Sequence, residues 1–181
     1  MITTKDELKQ AVRLERSLYI GNGKLSAIRL SLLSDHDYLI WQYVKALRYT
    51  EYYFNKKRRL MYWLSQRKKN KIGSRLGITM WHNTIDVGLK IWHYGSIIVN
   101  GHAKIGKNCQ FHGNNCIGNK GVDSSEAPTI EDNVEIGVGA CVIGNITIAD
   151  NVKIGANAVV TKSCMHEGAI LVGVPAREIS R

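Results

Sequence analysis

The chain has 181 residues, of which 44% are hydrophobic and 22% are charged, and it carries a net charge of +10. This composition fits one compact domain, or a domain with a smaller appendage, and excludes a disordered chain. No apolar run reaches the roughly 20 residues of a membrane-spanning helix. The polar start of the chain lacks the apolar centre of a signal peptide. We therefore expect a cytoplasmic protein.

The positive charge is concentrated in the first part of the chain. Residues 1–76 hold 17 Lys and Arg against 6 Asp and Glu, a net +11, whereas residues 77–181 hold 8 against 9, a net −1. The two parts are therefore expected to differ in structure and role. We predict a helical N-terminal region over 1–76 and a second domain over 77–181.

Helix signals are visible throughout the N-terminal region. Thr4 and Glu7 have the spacing of a capping box, in which each residue's side chain bonds the other's backbone N–H. Residues 21–23, Gly-Asn-Gly, are expected to end this first helix. Another helix is predicted to begin after Ser34, and a further helical stretch covers 59–69.

The stretch Lys56–Lys71 combines eight positive charges, no acid and an apolar, aromatic centre at Leu60–Leu64. Basic ends around an aromatic middle suit an anionic membrane surface, which would place the protein at the inner face of the membrane. They also suit an acidic glycan. A third interpretation is that the apolar centre packs on the second domain and the charges are solvated. Nucleic acid is not expected, because no recognition motif is present.

Beyond residue 76 the sequence repeats every six residues. A six-residue period predicts short strands that turn a corner and repeat, so that the chain coils into a triangular prism, a parallel β-helix. The repeated aliphatic residue and the small residue four positions later are expected inside this prism. The Gly or Asn that often follows the aliphatic is expected at a corner with unusual backbone angles. The in-phase positions are Val99, Ile105, Phe111, Ile117, Ile130, Ile136, Val142, Ile148, Ile154 and Val160.

Two irregularities interrupt the period. Ile85 and Ile91 keep the six-residue step but lie two residues out of phase with Val99. Ile117 and Ile130 are thirteen residues apart, one more than two repeats. The polar segment between them predicts an excursion loop over 118–129, and loops on a rigid scaffold often carry function.

Three segments identify a family resemblance. Gly88–Asn100, reading G-L-K-I-W-H-Y-G-S-I-I-V-N, resembles the segment of the serine acetyltransferase branch of hexapeptide-repeat acyltransferases that holds the catalytic His. The coils from Ala127 to Ile148 and the segment Gly173–Arg177, reading G-V-P-A-R, are similar to the same branch. The resemblance implies a left-handed parallel β-helix and an O-acetyltransferase that uses acetyl-CoA and needs no metal.

The resemblance implies that His93 is the general base. An imidazole with a pKa of about 6.5 can take the proton of a hydroxyl as that hydroxyl attacks a thioester. Its second nitrogen needs a partner, and the sequence offers either Asp86 or a backbone carbonyl. His112 follows a repeat position, so it is expected to point outward, either as a substrate contact near His93 or as an exposed histidine.

The chain departs from serine acetyltransferases at residues that are expected near the acceptor substrate. Trp92 stands where that branch has Asp, Ala127 stands where it has His, and its Asp-Ile-His-Pro string is absent. These differences favour the relatives that acetylate sugar hydroxyls in surface or capsular polysaccharide synthesis, with Trp92 and Asp86 near the acceptor. The alternative is a serine O-acetyltransferase of cysteine biosynthesis.

Coenzyme A in this family lies in a groove between the prisms of neighbouring subunits, so the resemblance also implies a homotrimer. Carried over residue by residue, the coenzyme A contacts fall on Gly118, Val138, Ala156, Lys162 and Arg177.

Two other classes of protein share the coil. A γ-type carbonic anhydrase needs three converging imidazoles on zinc, and the spacings of His82, His93, His102 and His112 do not match that pattern. A non-catalytic scaffold would not need the segment around His93.

Overall fold

The computed structural model describes residues 1–21, 23–121 and 125–179, with the backbone alone described for 24–27. The chain divides into two compact units, Met1–Gly77 and Ile78–Arg181. Gly77 ends the last helix of the first unit in the left-handed conformation, at a φ of 68°, which glycine adopts at little cost. The boundary therefore falls one residue later than the expected division at 76.

The described part of the first unit contains four helices: α1 (Lys5–Tyr19), α2 (Lys24–Leu32), α3 (His36–Asn55) and α4 (Arg59–Leu76). Thr4 and Glu7 form the predicted capping box, and the N–H groups of Thr3 and Thr4 lower the pKa of Glu7 to about 2. Helix α2 was not predicted from the sequence, and the predicted end of α4, at Lys69, was too early. Asn22, within the predicted helix break, lies outside the described residues. None of the described helices is long and apolar enough to cross a bilayer.

A buried ion network ties α1 to α3. Arg48 on α3 donates to both carboxylate oxygens of Glu15 on α1 and to Glu51 on its own helix, at 2.6 to 3.1 Å. Glu51 also accepts the backbone N–H of Ile2 at 2.9 Å, which fixes the start of the chain. Burial by itself would lower the pKa of Arg48, but the carboxylates of Glu15 and Glu51 outweigh it and raise that pKa. The guanidinium therefore stays charged inside this unit.

The second unit is a prism of three sheets. Its strands are β1 (Ile78–Thr79), β2 (Lys90–Ile91), β3 (Ile97–Val99), β4 (Lys104–Ile105), β5 (Gln110–Phe111), β6 (Cys116–Gly118), β7 (Thr129–Ile130), β8 (Glu135–Ile136), β9 (Cys141–Ile143), β10 (Thr147–Ile148), β11 (Lys153–Ile154), β12 (Val159–Val160), β13 (Ile170–Val172) and β14 (Arg177–Ile179). Sheet A has the order β1-β3-β6-β9-β12, sheet B has the order β10-β7-β4, and sheet C has the order β14-β13-β11-β8-β5-β2. From β2 to β12, successive strands belong to sheets C, A and B in turn, and all pairings are parallel except β13 with β14.

The six-residue period fills the prism as predicted. Each repeated aliphatic from Val99 to Val160 is at most 4% exposed. The small residues four positions later, such as Val134, Ala140 and Ala158, have no exposed surface. Alternating large and small side chains lets a narrow interior fill without overpacking.

The predicted role of the corner glycines is wrong in part. Gly106 and Gly137 follow repeat positions, but a side chain there would meet the backbone of the next coil at 2.7 Å. They are glycines because neighbouring coils approach closely. The left-handed corner conformation instead falls two residues later, on Asn108 and Gly139, and it recurs at Asn157.

The excursion loop is shorter than predicted. Gly118 ends β6 and Thr129 begins β7, so the loop spans 119–128, of which 122–124 lie outside the described residues. Elsewhere the step from sheet A to sheet B takes six residues, as from Val142 to Ile148. The loop therefore inserts seven extra residues into one corner rather than replacing a coil.

Candidate active site

His93 lies exposed on a widened corner between sheet C and sheet A. The step from Ile91 to Ile98 is seven residues, whereas the step between their partners in the next coil, Phe111 and Cys116, is five. The two extra residues account for the phase slip seen in the sequence. They give the chain room to leave the prism wall at the position of His93.

The residue next to His93 in the following coil is Gly113. A Cβ at Gly113 would lie 3.1 Å from the carbonyl oxygen of His93 and 3.3 Å from its Cβ. Gly113 also has a φ of 116°, which side chains rarely adopt. The backbone of His93 therefore rests on a surface that only glycine provides.

Val138 and Ala156 continue the same corner. His93, Gly113, Val138 and Ala156 each follow, by two residues, strand residues of sheet C that pair from coil to coil. The N–H of Asn157 donates to the carbonyl of Val138 at 2.8 Å, which holds the coils together there. The predicted base and two predicted coenzyme A contacts thus form one column, the His93 column, along one edge of the prism.

Asn115 supports this column from inside. Its side chain is 1% exposed, accepts the N–H of Gly113 at 3.0 Å and donates to the carbonyl of Gly137 at 2.7 Å. In the neighbouring coils the equivalent place holds an apolar residue, Ile97 on one side and Ala140 on the other. Asn115 therefore exchanges packing for hydrogen bonds that fix the turn beside His93.

Trp92 forms an aromatic platform next to His93. Its indole N–H donates to Oε1 of Gln110 at 2.9 Å, and its ring stacks on His112 with centroids 5.8 Å apart. The ammonium of Lys90 lies 4.9 Å from the indole centroid. Trp92 remains 44% exposed, so part of this fixed indole is open to solvent at the residue before His93.

His112 is held on the outer surface of sheet C. Its Nε2 lies 3.0 Å from a carboxylate oxygen of Glu135, and the other oxygen lies 3.3 Å from the ammonium of Lys153. His112 is half-buried. The structure thus places His112 beside Trp92, the residue that precedes the predicted base. The carboxylate of Glu135, which contacts His112, was not singled out from the sequence.

Asp86 lies on a different corner from His93. Asp86 precedes β2, its backbone N–H donates to Ile105 and its carboxylate accepts the N–H of Val87 at 2.8 Å. His93 follows β2, so the width of sheet C separates the two positions.

The remaining predicted contacts lie across sheet A from the His93 column. Gly118 ends β6 at the corner between sheets A and B, and Lys162 follows β12 by two residues at the same corner. Lys162 and Arg177 line one cleft of about 560 Å³ with His166 and Pro175. The outer face of sheet A lies between these sets and carries an apolar row in register: Ile98, Cys116, Cys141 and Val159.

Sequence reasoning missed Gly113, Asn115 and Glu135. Asn115 had a visible signal, because it is the polar residue at a position where the other coils have a small or aliphatic residue. Glu135 had none, since an outward carboxylate on a strand looks like ordinary surface. The described residues contain no group of three or more His, Cys, Asp or Glu arranged to hold a metal ion.

Comparisons with known proteins agree with this architecture. Residues 127–162 match the family model of the bacterial transferase hexapeptide, six repeats. A soybean serine acetyltransferase is 25% identical with a TM-score of 0.77, over 95% of this chain and 69% of that one. A Neisseria gonorrhoeae serine acetyltransferase in complex with serine is 22% identical with a TM-score of 0.72, over 97% and 70%. A serine acetyltransferase in complex with CoA is 22% identical with a TM-score of 0.75, over 97% and 71%.

A comparison with curated protein sequences gives no match. The repeat and the solved structures together confirm the predicted left-handed parallel β-helix with its helical N-terminal region. They support the predicted class of enzyme, an acyltransferase of the hexapeptide family.

Proposed function

We propose that the chain is an acetyl-CoA-dependent O-acetyltransferase with His93 as its general base. The observation that carries this proposal is the His93 column. His93 is exposed, its backbone lies against Gly113, and it stands at the head of a line formed by Gly113, Val138 and Ala156 along the prism. A thioester substrate laid along this edge would bring its acetyl group to the imidazole.

The reaction needs one proton acceptor at His93. The imidazole takes the proton of the acceptor hydroxyl as its oxygen attacks the carbonyl carbon of the acetyl thioester. The resulting tetrahedral oxyanion collapses, the carbon–sulfur bond breaks, and the coenzyme A thiolate leaves. His93 returns the proton to this sulfur, so that the products are the acetyl ester and free coenzyme A.

The far side of sheet A suits the nucleotide end of coenzyme A. Lys162 and Arg177 share one cleft and supply two cations for its phosphates. The row Ile98, Cys116, Cys141 and Val159 offers an apolar surface for the pantetheine arm between that cleft and His93. The solved relative in complex with CoA supports this choice of donor.

A homotrimer is part of the proposal. Ile98 is 49% exposed and Val138 is 43% exposed on the flank that would face the thioester. A second prism against this flank would cover these apolar side chains and complete the groove. Full activity in a protein that light scattering shows to be monomeric would contradict this assembly.

Serine is the acceptor that the comparisons favour. The solved relatives are serine acetyltransferases, and one of them holds serine. This weighs against the saccharide acceptor that the substitutions at Trp92 and Ala127 favoured in the sequence. A saccharide remains the second candidate because Trp92, the residue before His93, is a partly exposed aromatic side chain, and aromatic side chains bind sugar rings through the C–H groups of the sugar.

An acceptor screen tests both parts of the proposal. Release of coenzyme A thiol from acetyl-CoA is measured with serine, simple sugars, nucleotide sugars and capsule oligosaccharides as acceptors. Saturable turnover with serine establishes the serine acetyltransferase, and turnover with a saccharide alone establishes the second candidate. Trp92→Phe, which keeps an aromatic face, is the matched variant to Trp92→Ala. No thiol release with any hydroxyl acceptor would overturn the proposed activity.

A further inference from the structure

The outward face of α4 is an apolar surface surrounded by cations. Leu60 is 68% exposed, Met61 42%, Trp63 57% and Leu64 45%. Helical positions 60, 64, 67 and 71 lie on one side of the helix, so the apolar cluster continues into Arg67 and Lys71. We name the exposed residues of segment 56–71 the basic aromatic face.

The opposite side of α4 fixes its orientation within the first unit. Tyr62 contacts Phe54 of α3, with ring centroids 5.4 Å apart. Lys69, Gly73 and Leu76 on the same side of α4 are buried. Packing of this side leaves the basic aromatic face pointing away from α3.

Charge decides what kind of partner this face fits. No Asp or Glu occurs from Tyr52 to Ile85, while Lys56, Lys57, Arg58 and Arg59 precede the apolar cluster. A second copy of the same face would meet it with like charges and no carboxylates, which opposes a two-fold contact of this face with itself. An anionic partner complements its charge.

The start of α4 adds a place for a phosphate group. A cleft of about 520 Å³ has Phe54 and Tyr62 among its walls and carries Lys57, Arg58 and Arg59. α4 begins there without a side-chain cap and without an acid in its first turn. Its first N–H groups and the helix dipole therefore favour an anion at the same place as the three cations.

We propose that the basic aromatic face docks on the surface of an anionic phospholipid bilayer. Lipid phosphates would sit over Arg58 and Arg59 while Leu60, Trp63 and Leu64 enter the interface between headgroups and acyl chains. An acidic glycan would satisfy the cations but leave the aliphatic side chains in water. A bilayer accommodates both, and Trp63 beside Arg67, 5.8 Å from ring centroid to guanidinium carbon, suits an interface that is apolar on one side and wet on the other. This inference goes beyond acetyl transfer and does not depend on it.

Vesicle flotation of the full chain tests the proposal. The wild-type protein should float with vesicles of 70% phosphatidylcholine and 30% phosphatidylglycerol and stay behind with pure phosphatidylcholine. Changing Lys56, Lys57, Arg58 and Arg59 together to Gln should lower the partition coefficient about 10²- to 10³-fold. The matched control changes Lys5, Arg13, Lys104 and Lys107 to Gln, which removes the same charge elsewhere and should cost less than tenfold.

Fluorescence then locates the contact. Vesicles with brominated acyl chains should quench the wild-type tryptophan emission, and Trp63→Phe should remove most of that quenching while keeping flotation. If the partition coefficient fell equally in the two charge variants, net charge alone would explain the binding, and the assignment to α4 would be wrong. Absence of flotation, or flotation abolished by a soluble acidic polysaccharide at physiological salt, would also overturn it.

Discussion

The side chain of Asn115 donates a 2.7 Å hydrogen bond to the carbonyl of Gly137 in the following coil. The same side chain accepts the N–H of Gly113 at 3.0 Å, and Gly113 lies directly beside His93. Two coils and the position of the predicted base are thus fixed by one buried amide.

Asn115→Ala should therefore lower both stability and activity. The N–H of Gly113 and the carbonyl of Gly137 would lose a buried partner, and each such loss costs about 1–3 kcal/mol of unfolding free energy. Asn115→Asp can still accept from Gly113, but it buries a carboxylate against the carbonyl oxygen of Gly137, so it should be at least as destabilising as Asn115→Ala. Urea unfolding and kcat measured on the three proteins check this order. Wild-type kcat in Asn115→Ala would mean that the turn does not position His93.

His93→Ala should reduce kcat by about 10²- to 10⁴-fold, the usual contribution of a positioned general base. Its thermal unfolding should stay close to that of wild type, because the side chain is exposed. His102→Ala removes another exposed imidazole and should leave the rate unchanged. Equal rates for His93→Ala and wild type in single-turnover experiments would remove His93 from the mechanism.

Lys162→Gln and Arg177→Gln should raise KM for acetyl-CoA about tenfold or more each, with kcat unchanged, since hydrogen bonds from charged groups contribute about 1.5–3 kcal/mol. Acetyl-pantetheine lacks the nucleotide phosphates, so both variants should use it as well as wild type does. Lys104→Gln provides a lysine change on another sheet. If the variants lost as much activity with acetyl-pantetheine as with acetyl-CoA, Lys162 and Arg177 would not act by binding the nucleotide phosphates.

Lys69 gives a pH-dependent prediction for the helical unit. Burial lowers the pKa of this ammonium to about 8, from an ordinary value of 10.5. Between these two values the unfolded chain binds more protons at this position than the folded chain, so the contribution of Lys69 to stability rises with pH. Lys69→Met should stabilise the protein at pH 7, and its advantage should shrink as the pH rises from 8 towards 10.5.

Lys68→Met is the control, because Lys68 is exposed on the same helix. Denaturant unfolding at pH 7, 8, 9 and 10 checks the trend. An advantage of Lys69→Met that stays constant across this range would mean that the lysine is not the titrating group.

The interior of the prism was predictable and most of its surface was not. The period of six identifies Ile136 or Val142 as core, because only one side chain orientation fits a narrow triangular coil. Helix α2 escaped prediction because its sequence, Lys24–Leu32, has no polar cap and no clear apolar stripe. Helix ends such as Leu76 depend on one glycine in the left-handed conformation, which a sequence with many glycines does not single out.

The prediction of the candidate site depends on a motif. His93 and Trp92 follow from the segment around them, and the structure places both on one corner with Val138 and Ala156. The contact between His112 and Glu135 could not be predicted, because it depends on the register of β5 against β8. That register depends in turn on the length of the excursion loop. Asp86 looked near His93 in the sequence, but seven residues carry the chain across a whole face of the prism.

The reversal of β14 against β13 has a consequence for the protein's solubility. A pile of parallel coils exposes unpaired N–H and C=O groups at its ends and could recruit further strands without limit, as fibrils do. β14 runs antiparallel across the outermost strand of sheet C, and it is a short, exposed strand that contains Arg177 and Glu178. Charged side chains on such an edge discourage another chain from pairing with it. Strand β14 therefore caps the edge of sheet C and discourages further strands from adding there.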